Sequence, residues 1–169
     1  QKEIQQDYLA WNDFSLSTQE FYRTSWVPTI PRWAIKTQPH PNIHQVTFVN
    51  GDAYAPFNDY QKGFRNLKWP PQIMYMFHQN YINTIFDSMS LRYFVVPLQD
   101  VKNDDDFFVH FGGRENPRIR QWYIDELEKL DYLERIETPA KGLAVFENKD
   151  IKPYVSPFTS IIGLQQLVE

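Results

Sequence analysis

Apolar residues recur at helical spacing most clearly between Pro71 and Ser90. Met74, Phe77, Tyr81, Ile85 and Met89 fall at steps of three or four, and Ile82 and Phe86 widen the stripe. A proline at the start suits the first turn of a helix. The spacing predicts one helix over about 71–90. The run Leu91 to Leu98 follows, with Tyr93, Phe94, Val95 and Val96, and its length and composition predict a buried strand. Asn116-Pro117 is an N-cap residue followed by proline at the first helical position, so a second helix is expected from there to about Asp131. Its inward residues are Ile119, Trp122, Tyr123, Leu127 and Leu130. Leu133 to Glu137 and Leu143 to Asn148 then predict a hairpin around Pro139-Ala140-Lys141-Gly142.

The flanks carry weaker patterns. Ser17-Thr18-Gln19-Glu20 matches a capping box and predicts a short helix from about Thr18 to Ser25. Trp26 to Trp33 contains Pro28 and Pro31 and cannot be a regular helix. Thr37 to Asn42 reads as an exposed connector. Ile43 to Tyr54 reads as a strand region, with a turn at Asn50-Gly51-Asp52 that would split it into a hairpin. Pro56 to Pro71 reads as extended chain and loop, and Gln99 to Gly113 as a solvated loop. Tyr154 to Phe158 reads as an edge strand and Ser160 to Glu169 as a helical exit. The expected fold is α+β or α/β, a two-layer domain with a mixed sheet packed against the helices at about 71–90 and 117–131. A strand–helix–strand unit from Leu91 to Ile136 would be right-handed if parallel. Residues 1–42 form an aromatic, proline-rich arm with its short helix, and residues 43–169 the core, in one compact domain overall.

Composition narrows the function. Thirteen Phe, ten Tyr and five Trp stand beside only six Gly among 169 residues. Two readings of these rings are open: a core built from aromatic area, or a surface that stacks on sugars or lies near a membrane interface. The net charge is −4 with scattered cations. Nucleic-acid binding needs a clustered basic face, so it is set aside. The absence of Cys excludes disulfides, thiolate catalysis and Cys-based metal sites. No stretch reaches the ~18–20 apolar residues of a membrane helix. The start at Gln1 fits a loop domain excised from between membrane helices, and a trimmed tag would give the same start.

Candidate chemistry is sparse. Asp100 and Asp104–Asp106 lack the glycine and distal glutamate of a calcium loop and read as solvated. His40 and His44 are separated by Pro41 and do not share a helix face, so no metal site is expected. His78 and His110 read as packed or exposed, and Glu115, Glu126, Glu128 and Glu147 as surface. Gly112-Gly113 is no phosphate loop. No catalytic residue, metal ligand or cofactor is assigned. The best site is an aromatic–polar cluster for a glycan: Trp26, Trp33, Tyr54, Asn58, Asp59, Tyr60 and Trp69. Its rings present flat apolar faces, with an amide and a carboxylate nearby. The competing reading has these rings pin a proline-rich segment to the sheet.

Three phrases carry most of a resemblance, and a fourth lies upstream of them. Ile85 to Val96 (IFDSMSLRYFVV) is similar to an "LLxxLGVRYVVV" phrase, with Ser90 in place of its glycine and Leu91 in place of its first valine. Leu127 to Ile136 (LEKLDYLERI) is similar to "LxxLxYLExV". Ala144 to Pro153 (AVFENKDIKP) is similar to "xVYENxxxxPR". Upstream, Phe21 to Pro28 with Pro31-Arg32-Trp33 is similar to "EYLPxW". In this order they resemble the extracytoplasmic soluble portion of GT-C-like glycosyltransferase membrane proteins of bacteria, in particular the YfhO-type polysaccharide-biosynthesis proteins. The likeness is densest over Ile82–Pro153.

The resemblance implies a part of a polytopic membrane protein, partnered with the membrane-embedded remainder of its own chain. The parent would be an enzyme that transfers sugar from a lipid-phosphate donor. The catalytic carboxylate of such enzymes lies outside a domain of this kind, so no catalytic role transfers to these residues. The expected role is non-catalytic: an extracytoplasmic domain in cell-envelope polysaccharide or glycolipid assembly that contacts the acceptor glycan or lipid-linked sugar. The alternative is a self-standing secreted carbohydrate- or protein-binding module.

Overall fold

The structure, a computed structural model, describes residues 2–27, 30–31, 33–35, 37, 39–44, 71–98 and 117–152. Among them the chain forms α1 (Lys2–Leu16), β1 (Arg23–Trp26), β2 (Asn42–His44), α2 (Pro71–Phe77), α3 (Ile82–Ser88), β3 (Leu91–Pro97), α4 (Pro117–Leu127), β4 (Leu133–Ile136) and β5 (Leu143–Asn148). The strands make one mixed sheet in the order β2-β1-β3-β5-β4. β1 pairs parallel with both β2 and β3, while β5 pairs antiparallel with both β3 and β4. The expected α+β architecture, a mixed sheet packed against two helical regions, is therefore what these residues form.

Alternation along the strands divides the core in two. Phe94, Val96, Ala144 and Phe146 join Phe77, Ile82, Phe86, Tyr123 and Leu127 on the face covered by α2, α3 and α4. Tyr93, Val95 and Val145 join Tyr8, Trp11, Tyr22 and Trp26 on the face covered by α1. Leu91 breaks the alternation and packs with the first set. The pairing explains this: Arg23 opposes Leu91 but Thr24 opposes Tyr93, so Arg92 is an extra residue in β3, a bulge.

Several expectations are corrected. The helix expected at 18–25 is not there. A helix spans Lys2–Leu16, and Arg23–Trp26 is a strand inside the sheet. Ser17 serves the end of α1: its hydroxyl donates to Phe14 O at 2.7 Å, and its amide bonds Asp13 O and Phe14 O. The capping-box residues thus follow a helix here, and the aromatic residues after them have strand preference. The helix expected at 71–90 is two helices joined at 78–81. Tight bonds from Gln79 N to Met76 O and from Ile82 N to Gln79 O replace regular helical bonds there. Asn80 is a poor helix interior residue because its amide competes for the backbone. The helix beginning at Pro117 ends at Leu127 and closes through Lys129 N to Glu126 O and Leu130 N to Leu127 O. β3 and the β4–β5 hairpin lie where expected. β2 (Asn42–His44) lies at the start of the expected 43–54 strand, and the rest of that segment lies outside the described residues. The readings at 45–70, 99–116 and 153–169 lie outside the described residues, as do the turn at 50–52, the loop at 99–113, the strand at 154–158 and the exit at 160–169.

Candidate functional site

Two places in the fold concentrate polar and aromatic chemistry. The first is the sheet edge where the parallel strands end. The chain leaves β1 at Val27, β2 after His44 and β3 at Leu98, all on one side. In open sheets with parallel strands, the crevice outside the carboxyl ends is where ligands are held. The buried Arg120 of α4 reaches this edge and donates to Pro97 O and Leu98 O, both at 2.8 Å.

The expected glycan residues divide around this edge. Trp26 is fully buried: it stacks on Tyr8 at 5.5 Å between ring centroids, and its Nε1 donates to Asn42 Oδ1 at 3.0 Å. Its ring belongs to the core. Trp33 is half-buried and packs against the same cluster to which Trp26 belongs. Tyr54, Asn58, Asp59, Tyr60 and Trp69 lie outside the described residues, in the connection that follows β2.

The second place is the opposite edge, where the three resembling phrases meet. Met89 caps α3, and Ser90 turns the chain into β3 with φ of 52°, the left-handed region. Its amide donates to Asp87 O at 2.9 Å, and its carbonyl accepts from Arg23 N at 2.7 Å. Arg23 also donates through its guanidinium to Met89 O at 2.6 Å. The bulge then aims Arg92 at Glu147 of β5, with Nε donating to Oε1 at 2.8 Å, and at the exposed Glu20 at 3.4 Å. The Arg92 guanidinium lies 5.7 Å from the Tyr22 ring centroid and 5.3 Å from that of Tyr93, a cation–π arrangement. Burial draws the Arg92 pKa down, but the Glu147 bond, Tyr93 and Glu20 together hold it above the usual value. Burial also raises Tyr22 and Tyr93 above the ordinary phenol value.

Asn148 continues the network. Its amide donates to Asn83 Oδ1 at 3.0 Å, and its oxygen accepts from Asp150 N at 3.1 Å. Tyr132, in the phrase Leu127–Ile136, joins this edge: its hydroxyl donates to Phe77 O at 2.8 Å and its carbonyl accepts from Lys149 N at 3.0 Å.

Chemically, these groups tie elements together. His78 and Glu126 pair at 3.0 Å between α2 and α4, and Glu126 also bonds Lys129. The Lys129 and His78 contacts hold the Glu126 carboxyl below the usual range. Among the described residues no group of three His, Cys, Asp or Glu is placed to hold a metal ion. No helix among them is long and apolar enough to cross a membrane. The roles of Arg92, Glu147, Tyr22 and Tyr93 were not legible from spacing. The bulge and strand register create them, and the one available signal was an Arg and a Glu inside the two strand phrases.

No family model matches the chain, and no curated protein and no solved structure matches it.

Proposed function

We propose that this chain is a non-catalytic extracytoplasmic domain of a polytopic, glycosyltransferase-like membrane protein of cell-envelope polysaccharide or glycolipid assembly. The observation that carries this reading is the corner at Ser90. The phrase it resembles has glycine there, and Ser90 takes the left-handed conformation that glycine adopts at a helix C′ position. Three further contacts support it, because the phrases interlock as a unit. The arginine of the first phrase pairs with the glutamate of the last. The asparagine of the last bonds Asn83 of α3, the helix in which the first begins. The tyrosine of the middle phrase accepts from Lys149 N of the last phrase and donates to Phe77 O at the end of α2.

In this role the sheet is a rigid cap on the membrane-embedded remainder of the parent chain. Trp33, half-buried beside the α1-side cluster, is the stacking ring for the acceptor glycan among the described residues. The reading is tested by sequencing the encoding gene past both ends and scanning its hydropathy in a ~19-residue window. Several apolar spans on the same open reading frame support it. A short frame without spans overturns it in favour of the secreted binding module.

A further inference from the structure

His40 lies in the connection between β1 and β2, with only 4% of its surface exposed. Its ring stacks on Tyr22 at 3.8 Å between centroids, 18° from parallel. Nε2 lies 3.1 Å from Thr18 O. A carbonyl only accepts, so Nε2 carries the hydrogen and Nδ1 is bare in the neutral ring. That Nδ1 is buried and has no hydrogen-bond partner. One ring therefore ties the α1–β1 connection to the segment that enters β2. The bonds that seat β2 lie next to it. Thr24 N donates to Pro41 O at 3.1 Å, Trp26 Nε1 to Asn42 Oδ1, and Asn42 Nδ2 to Ile35 O at 3.0 Å. β2 is a three-residue edge strand paired with β1 alone among the described strands.

We propose that His40 is an acid-sensitive latch: the neutral ring holds the β2 edge closed, and protonation releases it. The groups around the ring favour this direction. From the α1–β1 connection come Tyr22 and the Thr18 carbonyl, and from β3 Arg92, which in turn pairs with Glu20 and with Glu147 of β5. Both carboxylates are engaged by Arg92, whose guanidinium is the neighbouring cation. Burial is the largest influence on His40 and pushes its pKa down. The Thr18 and Tyr22 backbone pulls the other way, Arg92 repels, and the balance lies below the ordinary histidine value. The opened segment therefore takes up a proton more readily than the closed one. The closed form keeps its full stability above the ordinary histidine pKa and loses it as pH falls through the lowered one.

Amide hydrogen exchange of the whole chain at about pH 7.5 and about pH 5, corrected for intrinsic rates, tests this across the range where histidine titrates. Loss of protection is expected at Thr24 and Asn42–His44 in acid, with β3 and β5 unchanged. In His40→Gln the protection at β2 is expected to be the same at both pH values. Unchanged protection in the wild type, or the same acid loss in His40→Gln, overturns the latch. Should the variant not fold, an NMR titration of the wild-type His40 ring decides. Titration below the ordinary histidine value, in step with β2 amide shifts, supports the latch; titration at or above that value, or without those shifts, overturns it.

Discussion

Replacing Ser90 by glycine is expected to stabilise the protein. Ser90 sits at φ 52°, where a Cβ crowds the following carbonyl, and a non-glycine residue there gives up about 1–2 kcal/mol. Glycine removes that crowding but makes the unfolded chain more flexible, at a cost of about 0.4–1 kcal/mol. The difference leaves a net gain of about 0.5–1 kcal/mol. The bonds through the Ser90 amide and carbonyl are made by the backbone and survive the change. Ser90→Ala keeps the Cβ and is expected to give no gain, which separates the backbone effect from loss of the hydroxyl. Equilibrium urea unfolding reads the result as a higher midpoint with an unchanged slope. In thermal melts the gain corresponds to about 2–4 °C per kcal/mol for a chain of this size. A Ser90→Gly variant no more stable than wild type would refute the reasoning, and with it the equivalence of this corner to the glycine of the resembling phrase.

Other changes probe the same framework. A Cβ on Gly142 would lie 2.3 Å from Asp7 Oδ2, the free end of a side chain that can swing aside, so Gly142→Ala is expected to cost no more than about 0.5 kcal/mol by urea unfolding, and Asp7→Ala in the same chain to recover most of it. Failure of that recovery would show that α1 does not sit against the β4–β5 turn as described. Arg92→Ala should destabilise by about 1–3 kcal/mol, since it strips a half-buried carboxylate of its donor. A double-mutant cycle should give coupling of about 0.5 kcal/mol or more with Glu147→Gln, and close to none with the exposed Glu20→Gln. Trp33→Ala is expected to weaken binding of cell-envelope glycan fragments in calorimetry while Trp33→Tyr largely retains it; equal affinity in both would remove the stacking role.

How much of this was legible in the sequence depended on whether a segment advertises one face. β3 and the β4–β5 hairpin were, because runs such as Tyr93-Phe94-Val95-Val96 have no helical alternative of that length. The 71–90 stripe was legible as a buried face, but not as two helices. The step from Phe77 to Tyr81 preserves helical spacing across the break, so the apolar pattern is blind to it. α1 was missed because its buried stripe of Tyr8, Trp11 and Ser15 includes a polar residue, while Leu9 and Leu16 lie on its exposed side. Counting apolar positions there points to no single face. The site was less legible still. Trp26 reads in sequence as an available ring, but only the register that seats it beside Tyr8 reveals that it is spent on the core. Arg92 and Glu147 are fifty-five positions apart, and only antiparallel pairing of β3 with β5 and the bulge at Arg92 bring them together.

The central claim is that this domain stands on the outer face of a membrane, as part of the protein embedded there. The chain has no cysteine, so one introduced by Lys141→Cys, at an exposed turn position, is a clean label site within it. The full-length protein would be treated in spheroplasts with a membrane-impermeant maleimide, then fractionated after a carbonate wash. The account expects Cys-dependent labelling before lysis, on a protein that stays with the membranes. Labelling only after lysis, or on a protein released into the soluble fraction, would contradict it.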